Sequence, residues 1–451
     1  MAKGRSSAYV CDSCGHDEPK WLGRCPSCGE WNSFKEIHLG STGTARRSVH
    51  PIKRAAATLL SDIDPTPPER YPTGNEELDR VLGGGLSPGT SVLLGGEPGI
   101  GKSTLMLQVA ATLPGRGLYV SGEESPGQIK NRADRLKLPQ DSLEIICETD
   151  LEILLDILGE NKPAYLVVDS IQTLISGEAG SVPGTPNQLK IAGHRLTTWA
   201  KTTGIPLFLI AHVTKEGTIA GPKVIEHLVD TVLYFDQSSS DLRILRASKN
   251  RMGSVDELGL FRMGASGLSP IPDPAGMFLE HRKSSNPPAG SAVAAVYEGS
   301  RILMVEIQAL TVQAKGGMGR VYSDRIDNAR VSRIAAVLER HAGLKLSDQD
   351  IYVNVAGGLR ISDTGAELAL ALALFSARSE QALPPDLAAV GEISLAGEVR
   401  PVPHLRRRIK TASDTGLKRY FAAAGSDEGG AFSGKGKVVH NIRDALAAVL
   451  S

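Results

Sequence analysis

The sequence predicts an α/β chain in three parts: a small N-terminal four-cysteine module, a core on a mostly parallel sheet, and a C-terminal α/β domain. Three observations predict it. Four of the five cysteines fall between residues 11 and 28. Short apolar runs alternate with helical patterns from about Tyr71 to Met263. Two Pro/Gly-rich breaks, 271–276 and 284–291, precede a further α/β stretch. The expected boundaries are 1–39 for the cysteine module, 40–65 for a linker, 66–270 for the core and 285–451 for the last domain. The chain has 451 residues, 41% of them hydrophobic, with 50 cations against 50 anions. It is too apolar for a disordered chain and too balanced for a globally basic one. A local basic patch for nucleic acid is still compatible with zero net charge. The sequence has no run of 18 apolar residues, and the first residues lead into no apolar stretch. Neither a membrane span nor a secretory signal is therefore expected, and the expected location is cytoplasmic.

Cys11-x2-Cys14 and Cys25-x2-Cys28 form two knuckles, each followed by a glycine that lets the backbone turn toward the thiolates. Four thiolates suit tetrahedral Zn²⁺, and a closed shell implies a structural site; two disulfides are the competing reading. Trp21, Arg24 and Trp31 flank the knuckles, either to cover a tiny core or to contact single-stranded nucleic acid. The remaining thiol, Cys147, reads as a small buried hydrophobe.

In the core, strands are expected at Ser91–Leu94, Gly117–Val120, Tyr165–Val168, Leu207–Ile210, Thr231–Phe235 and Leu242–Ala247, with helices such as Ser103–Thr112 and Gln188–Thr202 between them. The run Gly96-Glu97-Pro98-Gly99-Ile100-Gly101-Lys102-Ser103-Thr104 contains G-x-x-x-x-G-K-S between a strand and a helix. Its glycines let backbone amides approach phosphates, and the helix N-terminus adds partial positive charge. Lys102 suits β/γ oxygens and Ser103 suits Mg²⁺, so the motif predicts nucleotide binding. Asp169 ends an apolar strand in the Walker-B manner and would orient Mg²⁺ or its water. Glu123 and Glu124 end another strand, and one of them, Glu123 by preference, would orient the attacking water. His212 ends a third strand, placed either near the γ-phosphate or as a structural histidine. Lys249 and Arg251, in Lys-Asn-Arg-Met-Gly, are poorly placed for their own nucleotide; they read as a solvated turn or as cations reaching a neighbouring subunit.

Taken together, the knuckles with Trp21-Leu22-Gly23-Arg24 and Trp31, the loop Gly96–Thr104 and the run Lys249–Gly253 resemble the bacterial RadA family, also called Sms, of DNA-repair and recombination ATPases. The likeness runs from Tyr9 to about Leu450, with Met252 where the family's K-N-R-F-G motif carries Phe. It implies a zinc finger, a RecA-like P-loop ATPase core and a Lon-protease-like C-terminal domain, with ATP, Mg²⁺ and Zn²⁺ as cofactors. It also implies a homo-hexamer that binds single-stranded and branched DNA, hydrolyses ATP and drives branch migration, with recombinase or replication proteins as further partners and no membrane partner. Lys249 and Arg251 would then serve hydrolysis, DNA engagement or both. The loop 214–222 after His212, with Lys215, reads either as a grip on DNA or as a passive surface loop.

The C-terminal domain resembles Lon around residues 359–367 and 391–402. The position of Lon's nucleophilic serine reads Gly365 and that of its lysine base reads Arg406. Glycine offers no nucleophile and arginine no deprotonatable base, so proteolysis is not expected. Residues 400–419 carry seven cations against one acid, and 315–345 seven against three. Arg406, Arg407 and Arg408 are the foremost candidates there for DNA contact, against a plain solvated face. An ATP-switched, zinc-containing DNA-binding scaffold without translocation is the alternative to the motor.

Overall fold

The computed structural model describes residues 7–11, 17–26, 29–38, 59–62, 69–179, 182–212, 222–237, 241–279, 287–423 and 435–450. The chain divides into two compact units: residues 1–236, 245–255 and 263–269, and residues 237–244, 256–262 and 270–451.

Three short strands open the chain: β1 (Ser7–Cys11), β2 (Asp17–Glu18) and β3 (Phe34–His38), in the antiparallel order β2-β1-β3. Their small core is Cys11, Cys25 and Phe34, with Tyr9 packed against it. The tryptophans do not cover this core, as one sequence reading supposed. Trp21 is 51% exposed and Trp31 67%, with the Arg24 guanidinium 5.7 Å from the Trp31 ring centre.

The next elements are α1 (Glu76–Leu82), β4 (Ser91–Gly96), α2 (Lys102–Thr112), β5 (Gly117–Ser121), α3 (Pro126–Arg135), β6 (Leu143–Ile146), α4 (Leu151–Glu160) and β7 (Leu166–Asp169). After them come α5 (Pro186–Thr203), β8 (Leu207–His212), α6 (Pro222–Glu226), β9 (Thr231–Gln237), β10 (Leu242–Asn250), β11 (Leu258–Gly264) and β12 (Gly267–Pro270). The nine strands line up as β12-β11-β10-β9-β4-β8-β7-β5-β6, and the pairs from β9 through β6 are parallel. One layer of the core runs across this sheet through Leu93, Val120, Val168, Leu209 and Val232. Helix ends follow local chemistry. Ser125 and Gln128 form a capping box at the start of α3, and Gly204 closes α5 at φ 74°, a left-handed conformation that suits glycine. All four site-bearing strand ends (β4, β5, β7 and β8) point the same way, which is the edge of a parallel sheet where ligands bind.

The last domain contains β13 (Ser291–Glu298), β14 (Arg301–Gln313), β15 (Val321–Ser323), α7 (Asn328–Ala342), β16 (Gln349–Val355), α8 (Glu367–Ser379) and β17 (Leu387–Val390). It ends with β18 (Glu392–Ile393), β19 (Val399–Arg400), α9 (Leu405–Asp414), β20 (Arg419–Ala422), β21 (Lys435–Val438) and α10 (Ile442–Leu450). Its sheet has the order β15-β16-β14-β13-β17-β20-β21. Strand alternation separates two cores. Ala292, Ala294 and Val296 of β13 join the cluster of α7, α8 and α10, while Val293 and Ala295 join the cluster of α9. Among the described residues no helix is long and apolar enough to cross a membrane.

Candidate functional site

The phosphate loop spans the end of β4 and the start of α2. Close packing selects its glycines: a Cβ at Gly96 would lie 2.7 Å from the Phe235 carbonyl oxygen, and one at Gly101 2.6 Å from Met263 Cε. Gly99 and Gly101 also hold φ at 77° and 115°. The loop therefore keeps its amides free of side-chain cover at a helix N-terminus. Lys102 is only 3% exposed, and its ammonium donates to the carbonyls of Gly96 at 2.8 Å and Glu97 at 2.9 Å. Burial pushes it down to about 8, against the raising influence of Asp169 and Glu123.

Neighbouring strand ends complete the arrangement. Asp169, 6% exposed, accepts a 2.6 Å hydrogen bond from the buried Tyr119 hydroxyl. Ser170, the next residue, donates at 2.6 Å to Glu123 Oε1. The His212 ring bridges the pocket, with Nε2 3.1 Å from the same Glu123 oxygen and Nδ1 3.2 Å from Lys102 Nζ. Glu124 turns away into an ion pair with Arg132. Lys102, Glu123, Asp169 and His212 are thus gathered at one place, and Glu124 is not. Sequence reasoning missed Ser170 and Tyr119. The register was the available signal, since Ser121 pairs with Asp169 and Tyr119 lies two residues back on the same strand.

The end of β10 and the turn after it lie elsewhere. Lys249 Nζ donates to the carbonyls of Glu226, His227 and Val229, and the Arg251 amide donates to the Asp230 carbonyl at 3.1 Å. Asp230 in turn accepts from Ser91, the first residue of β4. These cations therefore sit at the amino edge of the sheet. Five residues of β4, Ser91 to Gly95, separate them from the phosphate loop, about 17 Å at strand rise. Lys215 lies outside the described residues.

The donor chemistry suits the groups the motifs call for. The Ser103 hydroxyl and the Asp169 carboxylate offer oxygen ligands of the kind Mg²⁺ takes. Cys11 and Cys25 bring two buried thiols into one small core, and the Gly29 amide turns back onto the Cys25 carbonyl at 2.9 Å. That fits one half of a thiolate zinc shell. Cys14 and Cys28 lie outside the described residues. Cys147 is exposed, donating to the Glu124 carbonyl, and is not the buried hydrophobe expected.

One expectation for the C-terminal domain needs correction, and it concerns Arg408. This residue faces Gly365: a Cβ on Gly365 would lie 2.7 Å from Arg408 Nη1. Arg408 is 1% exposed, paired with Asp363 and donating to the carbonyls of Ala295 and Pro403. It therefore cannot be a surface contact for DNA. Arg406 and Arg407 are exposed, and Arg407 donates to the Ser300 carbonyl. Other cations of the two basic stretches are also engaged: Arg330 and Arg333 on Glu367, Arg419 on Asp386.

Residues 9–36 match a rubredoxin metal binding domain, residues 58–218 an AAA domain, and residues 323–426 the subunit ChlI of Mg-chelatase. The DNA repair protein RadA of Treponema pallidum (strain Nichols) is 49% identical over 456 residues, covering 100% of this chain and 99% of that protein. The proteins of the same name from Bacillus subtilis (strain 168) and Escherichia coli (strain K12) are 43% and 42% identical, covering 95% and 94% of this chain and 94% of each relative. A metal-ribbon module, a P-loop ATPase core and a Lon-like last domain occur here in the same chain, and the match covers nearly the whole length of these relatives: the chain belongs to the DNA repair protein RadA family.

Proposed function

We propose that this protein is an ATP-driven motor of recombinational DNA repair, which binds single-stranded and branched DNA and drives branch migration. The observation that carries the reading is the gathering of Lys102, Glu123, Asp169 and His212 at the carboxyl edge of the parallel sheet. Within it, the loop amides of Gly96–Thr104 and the Lys102 ammonium hold the phosphates of ATP. Ser103 and Asp169 hold Mg²⁺, which supplies charge neutralisation at the transferring phosphoryl group when bound. Glu123 accepts the proton of the attacking water, held in place by Ser170 and His212. Asp169 keeps one carboxylate oxygen on Tyr119, and its other oxygen would be the one to serve Mg²⁺.

The loop 249–253 faces away from its own nucleotide, which suits a site completed by a second copy, as in a hexameric ring. Cations supplied in this way accelerate phosphoryl transfer by about 10³–10⁵. The exposed arginines of the last domain, Arg406 and Arg407, supply sequence-independent contacts to phosphates. The four cysteines Cys11, Cys14, Cys25 and Cys28 hold Zn²⁺ as a structural site.

The test has two stages. ATP hydrolysis is expected to rise with single-stranded DNA at low salt and to vanish in Lys102→Ala. Heteroduplex extension on a synthetic three-strand junction is expected for the wild type and not for Lys249→Ala. Intact hydrolysis and DNA binding without extension would replace the motor with an ATP-switched scaffold. Hydrolysis indifferent to DNA at low salt would end the motor reading.

A further inference from the structure

Asp169 is one of the two oxygen donors assigned above to Mg²⁺, and the backbone around it leaves only its side-chain torsions undecided. The Gly122 amide donates to the Asp169 carbonyl at 2.9 Å, and the Thr173 hydroxyl donates to the Ser170 carbonyl at 2.7 Å. The last torsion of an aspartate is broad and two-fold, so its two oxygens are interchangeable until a neighbour distinguishes them.

Tyr119 is that neighbour. Strands β5 and β7 run side by side, with Tyr119 opposite Val167 and Ser121 opposite Asp169. Side chains alternate along a strand, so Tyr119 and Asp169 share a face at a diagonal of two residues, which an aromatic side chain can span. Tyr119 is 2% exposed, and its hydroxyl donates to Asp169 Oδ2 at 2.6 Å. Among the described residues this is the only hydrogen bond on the Asp169 carboxylate. Oδ2 is therefore committed, and Oδ1 is the oxygen left for a metal.

Divalent cations differ in what they ask of a carboxylate. Mg²⁺ holds to a near-ideal octahedron, whereas Ca²⁺ takes about six to eight oxygens and accepts a carboxylate through one oxygen or both. An aspartate with one oxygen to offer serves the first and denies the second its two-oxygen mode. The partner that hydrogen-bonds a ligand also fixes the ligand's orientation.

We propose that Tyr119 is a positioning residue that sets cation selectivity at the nucleotide site: by occupying Oδ2 it makes Asp169 a one-oxygen ligand, which favours Mg²⁺ over Ca²⁺. The proposal rests on the reading above, in which Asp169 serves the metal of ATP.

The experiment uses the full chain loaded with ADP. Binding of Mg²⁺ and of Ca²⁺ is measured by calorimetric titration, with the same titration of free ADP subtracted. The wild type, Tyr119→Phe, Asp169→Asn and the double variant are compared, each with a thermal melt in the absence of divalent cations. Tyr119→Phe keeps the ring and loses only the donor. It is expected to weaken Mg²⁺ binding by about 10–100-fold, the usual cost of removing a group that supports a metal ligand. Ca²⁺ binding is expected to change less, because both oxygens become available to it, so the preference for Mg²⁺ falls. A lowered melt alone would report packing; the altered preference is the readout that packing does not move. On the Asp169→Asn background Tyr119→Phe is expected to change neither affinity, because the phenol acts only through that carboxylate. Equal shifts for the two cations, no shift, or a preference that rises would overturn the proposal while leaving Asp169 at the metal. Wild-type binding of both cations by Asp169→Asn would instead overturn the assignment of Asp169 itself. If Tyr119→Phe does not fold, Tyr119→Met, which also lacks the donor, gives the same comparison.

Discussion

Glu123 and Glu124 are adjacent in sequence, and the structure gives them opposite expectations under isosteric substitution. Glu123 Oε1 accepts 2.6 Å from Ser170 Oγ and lies 3.1 Å from His212 Nε2, beside Lys102. Among the described residues its carboxylate is held by Ser170 and His212 and forms no ion pair with arginine or lysine, which suits a general base. Glu123→Gln keeps the volume and the hydrogen bond but removes the proton acceptor, so kcat is expected to fall by about 10²–10⁴. KM for ATP is expected to change little, since the phosphate contacts remain. Glu124 is paired with Arg132, both side chains being partly exposed at 31% and 21%. A pair of that exposure is worth about 0–1 kcal/mol. Glu124→Gln is therefore expected to leave turnover within about twofold and to cost at most that energy in stability. The assay is steady-state phosphate release with saturating single-stranded DNA, paired with a thermal melt. Loss of turnover in Glu124→Gln with retention in Glu123→Gln would refute the assignment and the geometry behind it.

Three further outcomes follow from particular contacts. Lys102 in the unliganded protein loses its proton near 8, because burial disfavours the charge. Phosphates need the ammonium, so KM for ATP is expected to rise as pH climbs above about 8, by at most about tenfold per pH unit. A flat KM between pH 7 and 10 would count against it. The same shift has a stability sign: between about 8 and the ordinary value of 10.5 the unfolded chain holds the extra proton, so this group adds stability as pH rises. Arg408→Met strands the Asp363 carboxylate and two carbonyls inside the last domain, and is expected to destabilise that domain by about 3–5 kcal/mol, read as a lowered unfolding transition. Cys25→Ser removes a buried thiol from the N-terminal core and is expected to abolish bound zinc, measured by metal analysis, and to alter the fluorescence of the nearby Trp21 and Trp31.

The main sheet was legible because its central strands are buried on both faces and read as unbroken apolar runs. All six positions of β4 are buried, and β7 reads Leu-Val-Val-Asp. Strand β6, Leu-Glu-Ile-Ile, sits at the sheet edge, half buried with a charge inside it, and gave no such run. In the nucleotide site, each strand-end polar residue was visible one at a time. What the chain order hides is the sharing among them: Glu123, Ser170 and His212 meet across three strands. Arg70 carried no signal at all, since its partner Met252 lies 182 residues along the chain.

Arg408 is the instructive error, because the information to avoid it was present. Three consecutive arginines invite one reading, a basic surface. A helix turns 100° per residue, so consecutive side chains cannot share a face. In α9 the buried positions are Leu405, Arg408, Ile409 and Ala412, spaced at three and four residues as an inward stripe requires. Helical phase alone therefore places Arg408 on the core side, with Arg406 and Arg407 outside it. A charge on that stripe must find a partner, and Asp363 provides it, itself fixed by the amides of Tyr297 at 2.8 Å and Gly365 at 3.0 Å. The contact that identifies the facing residue is then steric rather than alignment-based. Arg408 fills the space in front of Gly365 where a side chain would stand, so the glycine and the arginine require each other. Neither can be replaced by a larger or uncharged residue without breaking the same buried pair, which makes this corner of the domain a structural lock and leaves phosphate contact to the exposed neighbours on the outer face of the helix.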